Sequence, residues 1–253
     1  MRFSRFSGLL AAALLAAPPS ALWAEPAATL GTILGSSDTA IRRMARLPVG
    51  GLQAVETTDG QLLFISDTGR YVVRGNAYDL WHGVALTSLA QAEELAGRID
   101  LKHLKLDVAD LGALDLGTGP EVVAFVDPQC PHCAAFFKDL ASLTDRYRFR
   151  LIPVPIGEDS QSEVLAVHCL ATTDRAAALA ALLEHPTDVP AATGTCGQQT
   201  AQRTLITAQM FGVGGTPFVI APDGRLHQGR PNDLAGWLAG TPTAAPNAGE
   251  GGQ

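Results

Sequence analysis

The stretch "DPQCPHCAAFF" at residues 127–137 holds two of the chain's four cysteines, Cys130 and Cys133, directly after an apolar run and directly before a helical one. Pro131 suits the first position of a helix, so the Cys130 sulfur is expected to face backbone N–H groups that a helix start leaves unpaired. The helix dipole and the C-x-x-C spacing favour a thiolate there, drawing the pKa from about 8.5 toward roughly 3.5–7. A thiolate at neutral pH can attack a disulfide, and Cys133, one turn further in, is placed to attack the mixed disulfide that results. His132, between the two, adds positive character when protonated or polarised and would stabilise the Cys130 thiolate further. Other uses of the pair fit less well. Covalent haem attachment needs a histidine directly after the second cysteine, where Ala134 stands. Structural zinc needs a second close pair of ligands, whereas Cys169 and Cys196 lie far apart and no suitably spaced histidine pair occurs.

The elements that must carry this pair belong to a chain of 253 residues, long enough for one large domain or two ordinary ones. Its first residues, "MRFSRFSGLLAAALLAAPPSALWA", place Arg2 and Arg5 before an apolar run too short to span a bilayer, then helix breakers and small residues. This reads as a secretory signal peptide, residues 1–24, and no later segment looks transmembrane. Loss of Arg2 and Arg5 takes the formal charge from −7 to −9, which argues against nucleic acid as a partner. Export to an oxidising compartment would ordinarily make four cysteines two structural disulfides. That reading suits Cys169, on the apolar helical face "EVLAVHCLA", and Cys196, after the loop-rich "HPTDVPAATGT". Neither sits in a C-x-x-C pair or follows a strand end, and a bridge between them would tie a loop to a packed helix.

Along the chain, "DTAIRRMARL" (38–47) has helical spacing. β-rich runs around Val55, Leu62–Ile65 and Tyr71–Val73, separated by Asp59-Gly60 and Asp67-Thr68-Gly69, then predict a β-meander. A unit this small has a thin core and is expected to need a partner surface. Leucines among charged residues over 86–113 predict a broken helical connector closed by "DLGTGP" (115–120). "EVVAFVD" reads as a strand buried on both faces, the cysteine pair and a helix follow, and "FRLIPVP" (149–155) gives a second, parallel strand. An alanine-rich helical region runs from Ser160 to Met210, broken at "HPTDVPAATGTCG". A hairpin, "PFVIAPDGRLHQG", and a helix opened by Asn232 complete the pattern, and the low-complexity tail 241–253 is expected to be disordered.

"LPVGGLQAVETTDGQLLFISDTGRYVVRGNAYDL", the connector, "DPQCPHC", the distant cysteine pair and "FGVGGTPFVIAPDGRLHQG" resemble, in that order, the periplasmic disulfide isomerases of the DsbC/DsbG family. The resemblance covers about Asp38 to Gly240. It implies an α+β chain: an N-terminal β-rich dimerisation domain (25–84), a helical linker (85–118), and a C-terminal thioredoxin-like domain (119–240) with a helical insertion at about 160–210. It also implies a V-shaped homodimer without cofactor or metal, exported to the periplasm. Misoxidised secreted proteins would be its substrates, and a membrane thiol reductant of the DsbD type would keep it reduced. Cys130 would be the nucleophile, Cys133 the resolving thiol, and Pro217 a cis-proline beside them. A Thr-Pro bond at a strand start can be cis at modest cost and would leave the Thr216 backbone free to pair with an extended substrate. The proline-histidine between the cysteines resembles the DsbA oxidases instead, whereas Thr216 resembles the isomerases. Ala124 stands where thioredoxins and DsbA proteins carry a buried acid, so the sequence assigns no proton route to Cys133; Asp127 is a weak candidate that could serve only a turn with Pro128. Three readings remain: a disulfide isomerase or reductase, which the pattern favours, a net disulfide oxidase of similar fold, and a non-enzymatic holdase with four structural cysteines. Chaperone activity is compatible with the first.

Overall fold

The computed structural model describes residues 40–47, 51–184 and 189–240; the expected signal peptide (1–24) and the tail (241–253) lie outside the described residues. The N-terminal module is a four-stranded antiparallel sheet in the order β1-β2-β3-β4, from β1 (Ile41–Arg46), β2 (Leu52–Thr57), β3 (Leu62–Ser66) and β4 (Val72–Arg74). The meander falls where the β-rich runs placed it. The helical spacing of 38–47 does not give a helix: Ile41–Arg46 pairs with β2, and a register shift between Ile41 and Arg43 interrupts the alternation that marks a strand. A separate hairpin of β5 (Ala77–Asp79) and β6 (Val84–Leu86) follows.

Helix α1 (Leu89–Ala96) opens at Ser88, whose side chain accepts from the Gln91 N–H, and buries Leu89 and Ala92 against Ala54 and Phe64 of the sheet. Arg43 of β1 pairs with Glu93 at 2.7 Å. The expected helical linker 85–118 is therefore only partly helical, and its one α-helix is packed into the N-terminal module. Beyond it run irregular chain and a short 3-10 turn (Val108–Leu111). "DLGTGP" is not merely a closing turn either. β7 (Leu114–Gly117) pairs antiparallel with a strand of the next sheet, which therefore starts at Leu114 rather than residue 119, because Leu114 is buried in that sheet's core.

The C-terminal domain is a five-stranded mixed sheet in which β8 (Glu121–Val126) and β9 (Arg148–Pro153) are parallel; with β10 (Phe218–Ile220) and β11 (Leu226–Gln228) the order is β11-β10-β8-β9-β7. Both faces of β8 are covered, which explains its unbroken apolar run. Val122, Ala124 and Val126 face a core containing Phe136, Phe137 and Leu140 of α2 (Pro131–Leu140) and Leu234, Trp237 and Leu238 of α6 (Leu234–Leu238). Val123 and Phe125 face a second core with Ala208, Phe211 and Phe218. The helical region comprises α3 (Gln161–Leu170), α4 (Arg175–Glu184) and α5 (Gln198–Met210). β10 and β11 form the expected hairpin. Asp233, not Asn232, caps α6, because its carboxylate accepts the Gly236 N–H at 2.9 Å.

Candidate active site

β8 ends in a turn built by Asp127. Its Oδ1 accepts the Gln129 N–H at 2.9 Å, and its carbonyl accepts the Cys130 N–H at 3.1 Å. Cys130 then caps α2 with extended backbone angles, and Pro131 occupies the first turn, where its missing N–H costs nothing. The cysteine pair thus stands at the junction of a buried strand and a helix start. Opposite lies the loop between α5 and β10, where the Thr216–Pro217 peptide is cis.

The two sulfurs differ. Cys130 is partly exposed, Cys133 is fully buried, and both are free thiols. Cys130 Sγ donates to the Thr216 carbonyl at 3.2 Å. Burial acts to raise the pKa of this thiol. Hydrogen bonds from the Thr216 side chain, the Cys133 and His132 backbone N–H groups and the Cys133 thiol outweigh it and hold Cys130 below the usual cysteine value. Burial pushes the Cys133 thiol up to about 12, even though the Asp127 N–H donates to its sulfur at 3.4 Å. One thiol is poised to ionise, and its partner is kept protonated until something removes the proton.

The remaining expected site residues fall as follows. His132 is exposed, and its contribution to Cys130 comes through its backbone N–H; the ring makes no hydrogen bond to the sulfur. Thr216 is buried beside both sulfurs, and Pro217 is buried at the start of β10. Ala124 sits inside β8, wholly buried opposite Val219, so that position offers no acid. The carboxylate of Asp127 is taken up by three donors: the Gln129 N–H, the Ile156 N–H at 2.8 Å and the Ser160 hydroxyl at 2.6 Å. It builds the turn and ties it to the helical insertion, and only its backbone reaches Cys133. Ser160 and Ile156 went unnoticed in the sequence, since nothing in their local pattern marks a partner for a carboxylate so far upstream.

Cys169 and Cys196 are bonded to each other, with Cα atoms 5.1 Å apart. Gly197, at positive φ, lets the start of α5 press onto α3: a Cβ there would lie 2.8 Å from the Leu165 carbonyl oxygen. The structure also puts Cys196 just ahead of the N-terminus of α5, a placement its sequence context did not signal.

An ionisable thiol and a buried partner on one helix turn, with the Thr216–Pro217 loop directly beside them at the end of a thioredoxin-like sheet, define a thiol:disulfide oxidoreductase. Two family models match this chain: the disulfide bond isomerase protein N-terminal domain over residues 16–88, and the thioredoxin-like domain over residues 117–237. With both domains in one chain, the protein belongs to the DsbC/DsbG family of disulfide interchange proteins. Among solved structures it is similar to a disulfide interchange protein from Neisseria gonorrhoeae (21% identity over 50% of this chain and 89% of that one, TM-score 0.39). It is also similar to Proteus mirabilis ScsC in a compact conformation (20% identity, 56% and 80% coverage, TM-score 0.46). A third likeness is Helicobacter pylori DsbG (14% identity, 77% and 97% coverage, TM-score 0.35). No curated protein matches the chain significantly.

Proposed function

We propose that the protein is an exported, periplasmic disulfide isomerase and reductase, which works as a homodimer on misoxidised secreted proteins. The observation that carries this reading is the contrast between the two sulfurs of one C-x-x-C turn. The Cys130 thiolate attacks a substrate disulfide; a bond forms between Cys130 Sγ and one substrate sulfur, and the other substrate sulfur leaves as a thiolate. That thiolate can attack elsewhere in the substrate until a final substrate thiolate displaces Cys130, which returns unchanged and gives a rearranged substrate with no net electron transfer. Alternatively Cys133 gives up its proton and attacks Cys130, releasing the substrate as a dithiol and leaving a Cys130–Cys133 disulfide. Two electrons must then come from a thiol donor, for which a membrane reductant of the DsbD type is suited. Burial favours the protonated Cys133 thiol, which on this reading delays the resolving step and lets rearrangement compete with it.

The thin core of the N-terminal module supports the homodimer, since Met44, Tyr71, Val73, Tyr78 and Leu80 are exposed there. Export is supported by the sequence of residues 1–24; among the described residues no helix is long and apolar enough to cross a membrane. Thiol trapping of the protein in the periplasm tests the direction of exchange: a largely reduced Cys130/Cys133 pair is expected, and a largely oxidised pair would make it a net oxidase, as its Pro131-His132 dipeptide would suit. Sedimentation at micromolar concentration tests the assembly, with a dimer expected and a monomer contradicting it.

A further inference from the structure

The N-terminal module touches the support of the cis-proline loop directly. Phe211 closes α5; Gly212 follows at positive φ, and the Val213 N–H returns to the Ala208 carbonyl at 2.9 Å. The position of Phe211 therefore sets the origin of the loop that delivers Thr216 to Cys130. The Phe211 ring meets Phe125 of β8 edge-on, with centroids 6.1 Å apart, and Phe125 in turn meets Phe218 of β10 at 6.2 Å. These are the strands that carry the two halves of the active site.

Phe211 is also met from outside its own domain, by Trp81 in the turn of the β5–β6 hairpin, edge-on at 5.5 Å. The backbone at Trp81 is itself held: its main-chain N–H donates to Asp79 Oδ1 at 2.8 Å, while the His82 ring binds the other Asp79 oxygen. Phe211 is buried in the core with Phe125, Ala208 and Phe218, and only its outward side is loosely filled. A cavity of about 530 Å³, reaching Leu52, Gly212 and Gln228, opens on Phe211, and another of about 210 Å³, reaching Tyr78, Leu86 and Leu226, lies beside Trp81. Where neighbouring atoms are missing, the contacts that remain decide where a ring sits. A second connection runs in parallel: the Leu226 N–H donates to the Gly97 carbonyl at 2.9 Å and the Ile99 N–H to the Gly224 carbonyl at 2.8 Å, lining the end of α1 along β11. From β11, Gln228 Nε2 donates to the Gly215 carbonyl at 2.8 Å.

We propose that Trp81 is a positioning residue for the dithiol: lodged against Phe211, it holds the loop from Gly212 to Pro217 so that Thr216 stays in hydrogen-bonding reach of the Cys130 sulfur. This rests on the reading of Cys130 as the exchanging thiol. The N-terminal module is then part of the active site's support as well as the surface through which two copies would meet.

The test titrates Cys130 in the full chain by thiolate absorbance and by alkylation rate. Trp81→Ala should raise the thiolate midpoint by about half a unit and slow alkylation below that midpoint about threefold, because the Thr216 side chain, whose hydrogen bond favours the thiolate, is held less firmly beside the Cys130 sulfur. Trp81→Phe should restore both, and Asn76→Ala, a change at an exposed polar position of the same module, should leave both unchanged. A merely structural role would lower the melting temperature without moving the midpoint. If Trp81→Ala does not fold, Trp81→Leu keeps the apolar volume without the ring edge and should shift the midpoint in the same direction. An unchanged midpoint in either folded variant, or an equal shift in Asn76→Ala, overturns the proposal. Failure of the underlying reading would be seen separately, as wild-type exchange that persists in Cys130→Ser.

Discussion

The two cysteine pairs are made of the same side chain and lie in the same domain, yet they are built for opposite purposes. Cys130 and Cys133 share one turn of α2, and their sulfurs meet backbone N–H groups and Thr216, with no covalent bond between them. Cys169 lies late in α3, Cys196 lies in the loop ahead of α5, and the two are joined. A helix start alone does not separate the pairs, because Cys196 also stands close to one. What separates them is the partner and what faces the sulfur. A C-x-x-C turn keeps two thiols within reach of each other in either oxidation state and opposite a loop that can receive substrate. A bridge across distant segments instead ties the end of α3 to the loop ahead of α5.

The sharpest way to break this comparison is to delete one sulfur at a time. Cys130→Ser should reduce thiol-disulfide exchange to background, while Cys133→Ser should keep the first attack and accumulate mixed disulfides with substrates, detected by non-reducing electrophoresis. If only Cys130→Ser trapped substrates, the roles would be reversed. Replacing Cys169 and Cys196 together by alanine should cost roughly 3 kcal/mol of stability, from the entropy regained by the unfolded chain. It should leave the reduction potential of Cys130/Cys133 nearly unchanged. A shifted potential with intact stability would mean that the second pair relays electrons.

A smaller effect concerns His168, next to Cys169 and buried. Its Nε2–H donates to the Pro153 carbonyl at 2.9 Å, and its Nδ1 has no partner among the described residues. Burial lowers its pKa, against the raising effect of the Pro153 hydrogen bond, so the folded state takes up a proton less readily than the unfolded chain. Stability from this group is then full above the unfolded value of about 6.5 and is lost as pH falls below it. His168→Gln should flatten that acid-side decline in denaturant titrations between roughly pH 7 and pH 5. An equally steep decline in the variant would place the acid sensitivity elsewhere.

Much of the site was legible because its signals are local. "EVVAFVD" announced a strand buried on both faces, Pro131 announced the helix start, and Thr216-Pro217 announced the loop opposite, so the chemistry could be read from three short stretches. What escaped depends on contacts made across the chain. The bulge in β1 disguised a strand as a helix, and Leu114–Gly117 looked like a turn because its strand character comes from pairing with β9. Asp127 could be named as a carboxylate near the pair, but its engagement by Ser160 and Ile156 is set by how the insertion folds back. Trp81 lies in an unremarkable "DLWHG" turn, and only the docking of two modules brings it to Phe211.

The contrast between the pairs is tested most directly by one redox titration in glutathione buffers, with the state of each cysteine read by alkylation and peptide mass spectrometry. The account predicts that Cys130 and Cys133 pass between dithiol and disulfide over a single transition, with any glutathione adduct on Cys130. Cys169–Cys196 should stay bonded throughout. Opening of Cys169–Cys196 in the same transition, or a Cys130/Cys133 pair that does not exchange with glutathione, would contradict it.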